Sequence, residues 1–304
     1  MKFGINILNF GPGANPESLG RWARFAENAG YHFVMISDHV AITPEVQALY
    51  PVPFYDPFIL LGWLAAITEK IELGTTVTIL PYRHPLQTAR IVENLAQLSG
   101  GRFILGVGIG WAKQEFEALG VPFDKRGVLT NEYLEAIITY RANEVATYKG
   151  QFVSFSNIHT APRSLRPHPP IWVGGATEAA MRRVLRYGDG WHPLRIRVDW
   201  LKNEGIPRLQ KIAESEGKPL PSLCPRIKLR LTDDPLPDDK RLAGEGTIDQ
   251  VRSDLEELAA LGAKYVLFDT YAGKPESTIN PENDWAMLSL LAEQALDLER
   301  QTLR

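Results

Sequence analysis

Short apolar segments alternate with segments of helical period along most of this chain. Apolar runs of roughly four to eight residues between turn signals are typical of strands buried on both faces. Longer segments with apolar residues three and four positions apart are typical of amphipathic helices. The pattern predicts strands at 2–8, 33–36, 71–78, 103–107, 171–173, 190–192, 226–231 and 265–269. It predicts helices at 16–30, 57–68, 85–98, 131–141, 178–187, 200–216, 247–261 and 283–299.

Turn and capping residues support these boundaries. Asn15 and Pro16 supply a cap and a first-turn proline for the first helix, which we expect to end at Gly30. Two stretches interrupt the rhythm. Residues 148–170 begin with a predicted hairpin and end in a proline-rich connection, and residues 232–246 form a polar loop that we expect to be mobile.

Eight strand–helix units in succession predict the α/β class and, within it, a closed (β/α)8 barrel rather than an open sheet. Such TIM barrels need about 250 residues. The 304 residues of this chain therefore suit one barrel with insertions in its βα loops. No linker divides the sequence, so we expect a single domain over residues 1–304.

The composition limits the classes of molecule that this chain is expected to bind. A net charge of -3 without a basic stretch argues against nucleic acid, and no stretch approaches the roughly 20 apolar residues of a membrane span. The lone Cys224 excludes an intramolecular disulfide and a multi-thiolate metal site, and the histidines lack a ligand-like spacing. The first residues do not resemble a signal peptide. We expect a cytoplasmic protein with a small-molecule substrate and no metal.

Residues at the carboxyl ends of the strands are the candidates for chemistry, because barrel enzymes hold their active sites there. Asp38 and His39 follow the second strand directly. A histidine has an unperturbed pKa near neutrality, so His39 is a candidate proton donor or acceptor. The alternative is a buried histidine that only makes structural hydrogen bonds.

The segment WVGGATEAAMRR places Gly174, Gly175, Ala176 and Thr177 between a strand and a helix. Amide groups at a helix start, left uncovered by glycine, form an anion site. The segment therefore predicts phosphate binding, with a tight packing turn as an equal alternative.

Glycines also end the fourth strand, where the spacing of GVGIGW differs from the dinucleotide fingerprint. Gly108 and Gly110 either let a flat ring approach the backbone or relieve crowding at the barrel rim. The nearby Thr75, Thr76 and Thr78 offer hydroxyl groups to a ligand, although threonine is also common in strands.

Four stretches, taken in order, resemble the luciferase-like monooxygenase superfamily, and specifically its branch of coenzyme F420-dependent oxidoreductases. The resemblance covers roughly residues 33–193. The stretches are ISDHV; YDPF with IELGTTVTILPYRHP; LSGGRFILGVGIGWAKQEFEALGVPF; and PPIWVGGATEAAMRRVLRYGDGWHP.

The resemblance implies hydride transfer to or from the deazaflavin F420, with the cofactor carrying the difficult chemistry. It implies that Asp38 and His39 lie beside the reactive ring, with His39 the proton-transfer residue. It places a non-proline cis peptide at Thr76-Val77, behind the ring. Further residues are implied to bind the cofactor: Gly108, Gly110 and Gln114 along the ring and its linker, and Gly174, Gly175, Ala176 and Thr177 at the phosphate.

One departure concerns the substrate. Related sugar-phosphate dehydrogenases carry an acidic residue after the last glycine of the fourth strand, where this chain has Trp111. Trp111, Tyr55 and Trp191 would make the mouth of the barrel apolar, which suits an aromatic or otherwise apolar substrate. The alternative is that these aromatic residues only pack at the rim.

Two other functions stay open. The first is an FMN-dependent monooxygenase of the same fold, which would need a flavin reductase as partner. The second is a flavin-binding protein without catalysis. Basic residues at the rim would favour F420, whose tail is acidic, and Arg83, Arg90, Lys113 and Arg126 are candidates. Relatives often form homodimers, and we expect the same here.

Overall fold

The computed structural model describes residues 1–163 and 168–304. Part of the predicted proline-rich connection, residues 164–167, lies outside the described residues. The barrel strands are β1 (Lys2–Ile7), β2 (Phe33–Ile36), β3 (Glu72–Thr75, continued by Thr78–Ile79), β4 (Phe103–Gly108), β5 (Ile171–Gly174), β6 (Gly190–His192), β7 (Ser222–Leu223 and Arg226–Lys228) and β8 (Tyr265–Asp269). The main helices are α1 (Pro16–Ala29), α2 (Pro57–Ile67), α3 (Pro85–Leu98), α4 (Arg126–Ala142), α5 (Glu178–Tyr187), α6 (Ile206–Glu216), α7 (Ile248–Ala260) and α8 (Pro281–Ala295).

The strands form a closed parallel barrel. Each of β1 to β6 pairs with its successor, and β8 pairs with both β1 and the second part of β7. The barrel closes where the two parts of β7 run beside β6: Ser222 pairs with Gly190, and Arg226 bridges to Leu194. The predicted (β/α)8 fold is confirmed.

Side chains fill the barrel on both sides of its sheet. A cluster of Phe33, Met35, Ile104, Trp172 and Leu267 occupies the interior. The alternate strand residues, such as Val34 and Ile36, pack outward against the helices. This two-sided burial produces the nearly continuous apolar runs in the sequence. The interior is a packed core, so ligands are confined to the barrel ends.

Helix ends follow the predicted capping chemistry in part. The Asn15 side chain accepts a hydrogen bond from the Ser18 amide at 2.9 Å, and Gly30 ends α1 with φ of 91°. The predicted start of the fourth helix at residue 131 is wrong, because α4 already begins at Arg126. The predicted helix 283–299 stops earlier, since Leu296–Asp297 turns into a short antiparallel hairpin with Thr302–Leu303.

Residues 232–246, predicted to be a mobile loop, are tied to the barrel. The Arg241 guanidinium binds both carboxylate oxygens of Asp254 on α7, at 2.5 and 2.9 Å. Glu245–Gly246 pairs with Arg230–Leu231. The predicted strand 226–231 is therefore split: Arg226–Lys228 belongs to the barrel, and Arg230–Leu231 belongs to this small sheet. No helix in the described parts of the chain has the length and apolar character needed to cross a membrane.

Candidate active site

A cavity of about 250 Å³ opens at the carboxyl ends of β2 to β7. This is the end at which barrel enzymes hold their active sites. Of the residues predicted for the site, Asp38, His39, Thr76, Val77, Gly108, Gly110, Trp111, Gly174 and Gly175 line the cavity, whereas Tyr55, Gln114, Ala176, Thr177 and Trp191 do not. Among the described residues, no three His, Cys, Asp or Glu side chains group as metal ligands.

His39 is held by a buried carboxylate. Its Nδ1 atom lies 2.6 Å from Oε2 of Glu115, whose side chain is fully buried. An ionised carboxylate only accepts hydrogen bonds, so Nδ1 carries the proton. Within residues 1–163 and 168–304, no protein group bonds to Nε2. Because His39 lines the cavity, Nε2 is the atom that a ligand can reach.

The Glu115 carboxylate is stabilised as an anion. Burial by itself would raise its pKa, but the hydrogen bonds from His39 and from the amides of Val40 and Ala41 outweigh burial and lower the pKa below its usual range. The two amides donate to Oε1 at 2.6 and 3.0 Å, and the Tyr82 hydroxyl donates to Oε2 at 2.9 Å. An ionised Glu115 therefore fixes Nδ1 as the donor and leaves Nε2 as the nitrogen that can accept a proton.

Asp38 is occupied by a different partner. Arg83 binds its two oxygens at 2.7 and 2.9 Å, and the Ile79 amide donates to the same carboxylate at 2.9 Å. Burial raises the pKa of Asp38, and Arg83 opposes that rise. With both oxygens engaged, Asp38 joins the end of β2 to the continuation of β3, and we assign it a positioning role. Arg83 also binds Asp56 at 3.0 Å, so the prediction that it serves an acidic tail at the rim is wrong.

Thr76 and Val77 form the back of the cavity, and the peptide bond between them is cis. Arg226 donates to the Thr76 carbonyl at 2.9 Å, and the Thr76 hydroxyl lies 2.9 Å from Nε2 of His192. The other ring nitrogen of His192 lies 2.5 Å from the Cys224 carbonyl. Since a carbonyl only accepts, Nδ1 donates to it and Nε2 accepts from Thr76.

His192 is thus a neutral structural histidine. Burial lowers its pKa to about 4; the Cys224 carbonyl partly opposes this shift, and the charge of Arg226 adds to it. Both ring nitrogens are engaged by protein groups. His192 therefore holds the Thr76–Val77 segment in place and has no nitrogen left for a ligand.

The glycines at the ends of β4 and β5 make room for Val77. A Cβ atom on Gly108 would lie 2.5 Å from Cγ2 of Val77, and one on Gly174 would lie 3.2 Å from Cγ1. Gly110 has φ of 78°, and its Cβ would meet Ile79 at 2.7 Å. The geometry therefore favours the second interpretation of Gly108 and Gly110: they leave room for protein side chains at the barrel rim.

The predicted phosphate turn leads into α5. Thr177 caps this helix by accepting a hydrogen bond from the Ala180 amide at 3.3 Å, and Gly175 has φ of 107°. The indole of Trp191 donates to the Gly175 carbonyl at 2.8 Å. The prediction that Trp191 lines the substrate pocket is wrong. Successive strand residues point to opposite faces, so Trp191 packs outward while His192 faces the cavity.

Gln114 and Tyr55 also lie away from the cavity. Gln114 is exposed: its side-chain oxygen accepts a hydrogen bond from the backbone N–H of Glu45 at 3.2 Å, and its own backbone N–H donates to the Glu45 carboxylate at 3.0 Å. Tyr55 packs against the layer between strands and helices. Tyr55 therefore does not line the substrate pocket as predicted, whereas the prediction that Gln114 binds the cofactor stays a prediction.

Tyr50 occupies the place predicted for Tyr55. It lines the cavity, and its ring centroid lies 5.4 Å from that of His39 and 6.4 Å from that of Trp111. Trp111 is 40% exposed and packs edge-on to His39 at 5.8 Å. Tyr50 and Trp111 thus flank the histidine with apolar surface, as the sequence predicted for Trp111.

Tyr50, Glu115 and Arg226 are among the site residues that the sequence did not predict. One signal for Glu115 was present: it stands beside the apolar Phe116 in the short segment Lys113–Ala118, so a buried carboxylate could have been suspected. Its contact with His39 spans 76 positions and leaves no local signal. Arg226 starts a strand segment and Tyr50 lies in an irregular loop, and neither context marks a ligand-facing side chain.

Comparison with known proteins identifies the family of this chain. The profile of the luciferase-like monooxygenase family matches residues 1–235. A Mycobacterium tuberculosis protein named Rv0953c, of uncharacterized function, is 31% identical over 250 residues, which are 74% of this chain and 87% of that protein.

Solved structures share the fold at low sequence identity. The monooxygenase RslO1 from Streptomyces bottropensis superposes with a TM-score of 0.78 at 23% identity, covering 96% of this chain and 98% of that one. An F420-dependent secondary alcohol dehydrogenase in complex with an F420-acetone adduct gives 0.76 at 17%, covering 95% and 98%. An FMN complex of the oxygenating constituent of 3,6-diketocamphane monooxygenase from Pseudomonas putida gives 0.72 at 15%, covering 96% and 97%. On the family match and its barrel fold, this chain belongs to the luciferase-like monooxygenase family.

Proposed function

We propose that this oxidoreductase transfers a hydride between coenzyme F420 and a small organic substrate, and that His39 transfers the accompanying proton. One observation carries the proposal: His39 lines the cavity with Nε2 unbound by the described protein groups, while Nδ1 is fixed by the buried Glu115. Removing or adding a hydride at a carbon that bears oxygen also moves a proton at that oxygen. A histidine whose rear nitrogen is held by a carboxylate is suited to that step.

The residues present fit the reactive ring of such a cofactor. Ligand pockets span about 300–1,000 Å³, and the cavity of about 250 Å³ is close to the lower limit. It therefore suits a flat ring system while the rest of the cofactor extends beyond it. Val77 would support the ring from behind, and the amides of residues 174–177 at the start of α5 would hold a phosphate. When bound, F420 supplies a centre that accepts or donates a hydride.

The protein's own contribution is to position the substrate and move its proton. Nε2 of His39 accepts the proton of a substrate hydroxyl in the oxidising direction and returns it in the reducing direction. Glu115 holds the ring in one tautomer and stabilises the charged form. Tyr50 and Trp111 surround His39 with apolar surface and limit water around the reacting oxygen.

Titration of the purified protein with F420 and, in parallel, with FMN tests the choice of cofactor. Trp111 is the tryptophan that lines the cavity, so quenching of its fluorescence reports a ring entering the site, and Trp111→Phe is the control for the signal. We expect F420 to bind at least tenfold more tightly than FMN, which is about 1.4 kcal/mol. The reverse order would indicate the FMN-dependent monooxygenase and a reductase partner.

Turnover separates the enzyme from a binding protein. With F420 bound, a screen of small alcohols and carbonyl compounds is expected to give a change in the F420 absorbance. Tight binding of F420 without turnover of any compound, in wild type and in variants alike, would favour the flavin-binding protein without catalysis.

A further inference from the structure

The candidate cavity has a polar side chamber, defined here as the space of about 40 Å³ walled by Arg195, Lys228 and Asp269 together with Tyr50, Leu194 and Arg226. The last three residues also line the main cavity. The two spaces therefore adjoin, and a ligand beside His39 can extend into the chamber. The sequence analysis assigned no role to this arrangement.

The chamber carries an excess of positive charge. Arg226 and Lys228 share one oxygen of Asp269, at 3.0 and 2.9 Å. Burial would raise the pKa of Asp269, but the charges of Arg226 and Lys228 lower it to about 2. Two cations thus face one permanently ionised carboxylate, and Arg195 adds a further charge at the chamber wall. An anion entering here would balance this excess.

Donor groups remain for such an anion. An ammonium has three N–H donors and a guanidinium has five. Lys228 uses its ammonium for Asp269 and for the Tyr271 carbonyl, at 2.9 and 2.6 Å. Arg226 donates to Asp269 and to the backbone and side-chain oxygens of Thr76. Each cation therefore has at least one N–H donor that its contacts with the described residues do not use.

The size of the chamber restricts the anion. About 10–15 Å³ admits one water molecule, so 40 Å³ admits a group of about three heavy atoms. A carboxylate has that size, whereas a phosphate monoester is larger. Tyr50 lies on the boundary between the chamber and the apolar surface around His39. A ligand would therefore have an anionic end and an apolar body.

We propose that the substrate is an apolar carboxylic acid, a hydroxy acid or its keto counterpart, whose carboxylate occupies the side chamber while its reacting oxygen meets His39. This inference rests on the proposed function. The carboxylate-rich tail of F420 is a second source of the same group, and the experiment below distinguishes it.

Calorimetric titration with benzoate and with its neutral isostere benzamide tests the side chamber. Wild-type protein is expected to bind benzoate at least tenfold more tightly than benzamide. Lys228→Met should weaken benzoate binding at least fivefold and leave benzamide unchanged. Lys228→Arg, which keeps the charge, should retain most of the benzoate affinity. The matched control is Lys240→Met at an exposed lysine away from the chamber.

Two further measurements distinguish an unfolded variant and a cofactor carboxylate in the chamber from a failure of the proposal. A thermal melt of Lys228→Met checks folding, and the comparison of benzoate with benzamide on wild-type protein carries the test if that variant is unstable. Benzoate is also titrated into protein saturated with F420, where unchanged binding supports a substrate carboxylate. Loss of benzoate binding there would overturn the proposal, because the cofactor's own carboxylates would occupy the chamber. Equal affinities for benzoate and benzamide would overturn it even if F420 binds, whereas failure of F420 to bind would count against the proposed function alone.

Discussion

Two buried histidines line the same cavity and are built for different tasks. His39 follows β2 and shares a hydrogen bond of 2.6 Å with the Glu115 carboxylate, while no described group bonds to its second nitrogen. His192 ends β6, and its two nitrogens bind the Cys224 carbonyl and the Thr76 hydroxyl. Both are at least 93% buried, so burial does not distinguish them.

The difference lies in the charge of the partners. Glu115 is an anion, and its charge stabilises the positive charge that His39 gains when it accepts a proton. His192 instead faces two neutral groups, so burial, with the nearby cation of Arg226 adding to it, lowers its pKa to about 4 and it stays neutral. A histidine at a strand end is therefore a candidate for proton transfer only when its partner stabilises the charge and one nitrogen is left for the ligand.

Replacing His39 should have the largest effect. We expect His39→Ala to lower kcat by about 10²–10⁴-fold, the usual contribution of a general acid or base. Its affinity for F420 should stay within about threefold of wild type, under 1 kcal/mol. The measurement is steady-state turnover of the best substrate from the screen, with the exposed His159→Ala as control. Undiminished turnover in His39→Ala would remove the distinction between the two histidines.

Glu115→Gln tests the partner rather than the histidine. We expect kcat to fall about a hundredfold, or about 2.7 kcal/mol, because the amide no longer stabilises the charged imidazole. KM and F420 affinity should change little. The exposed neighbour Glu117→Gln is the matched control. If kcat keeps its wild-type value and only the melting temperature falls, Glu115 merely anchors the amides of Val40 and Ala41.

His192 should act through stability and its dependence on pH. Its folded pKa of about 4 lies below the unfolded value near 6.5. The unfolded chain therefore binds more protons between these values, and the stability that a neutral His192 provides is complete above pH 6.5 and is lost as the pH falls toward 4. We expect this group to contribute about 2 kcal/mol to the loss of unfolding free energy between pH 7 and 4.5.

Denaturant unfolding of wild type and His192→Gln at these two pH values measures that contribution. The variant has no imidazole to protonate, so its stability should fall by about 2 kcal/mol less than that of wild type. Equal losses in both proteins would show that His192 is not held neutral.

The sequence predicted the fold well because two-sided burial determines the strand pattern. Each of the eight predicted strands has a counterpart in the barrel, from Lys2–Ile7 to Tyr265–Asp269. Errors occur where tertiary contacts override the local pattern. The hairpin of Leu296–Asp297 shortens the last helix, and the ion pair of Arg241 with Asp254 orders a polar loop.

The site was only partly predictable, because strand ends position backbones more reliably than side chains. Backbone features at Thr76-Val77 and Gly174–Gly175 lie in the cavity as predicted. The side chains of Tyr55 and Gln114 do not reach the cavity, since loops carry them elsewhere. The orientation of Trp191 was partly predictable, because side chains alternate along a strand and His192 and Trp191 therefore cannot both face the cavity.

Replacing Trp191, the residue beside His192, should have the smallest effect. Its indole supports the Gly175 carbonyl at 2.8 Å, so Trp191→Phe should loosen the turn before α5. We expect a loss of about 1 kcal/mol, or about fivefold, in F420 affinity measured by equilibrium dialysis. Turnover at saturating cofactor should not change, because Trp191 is outside the cavity. Trp63→Phe on the outer face of α2 is the control. A fall in kcat for Trp191→Phe would contradict this expectation. It would show that Trp191 also supports His192 and the Thr76–Val77 segment, and not the phosphate turn alone.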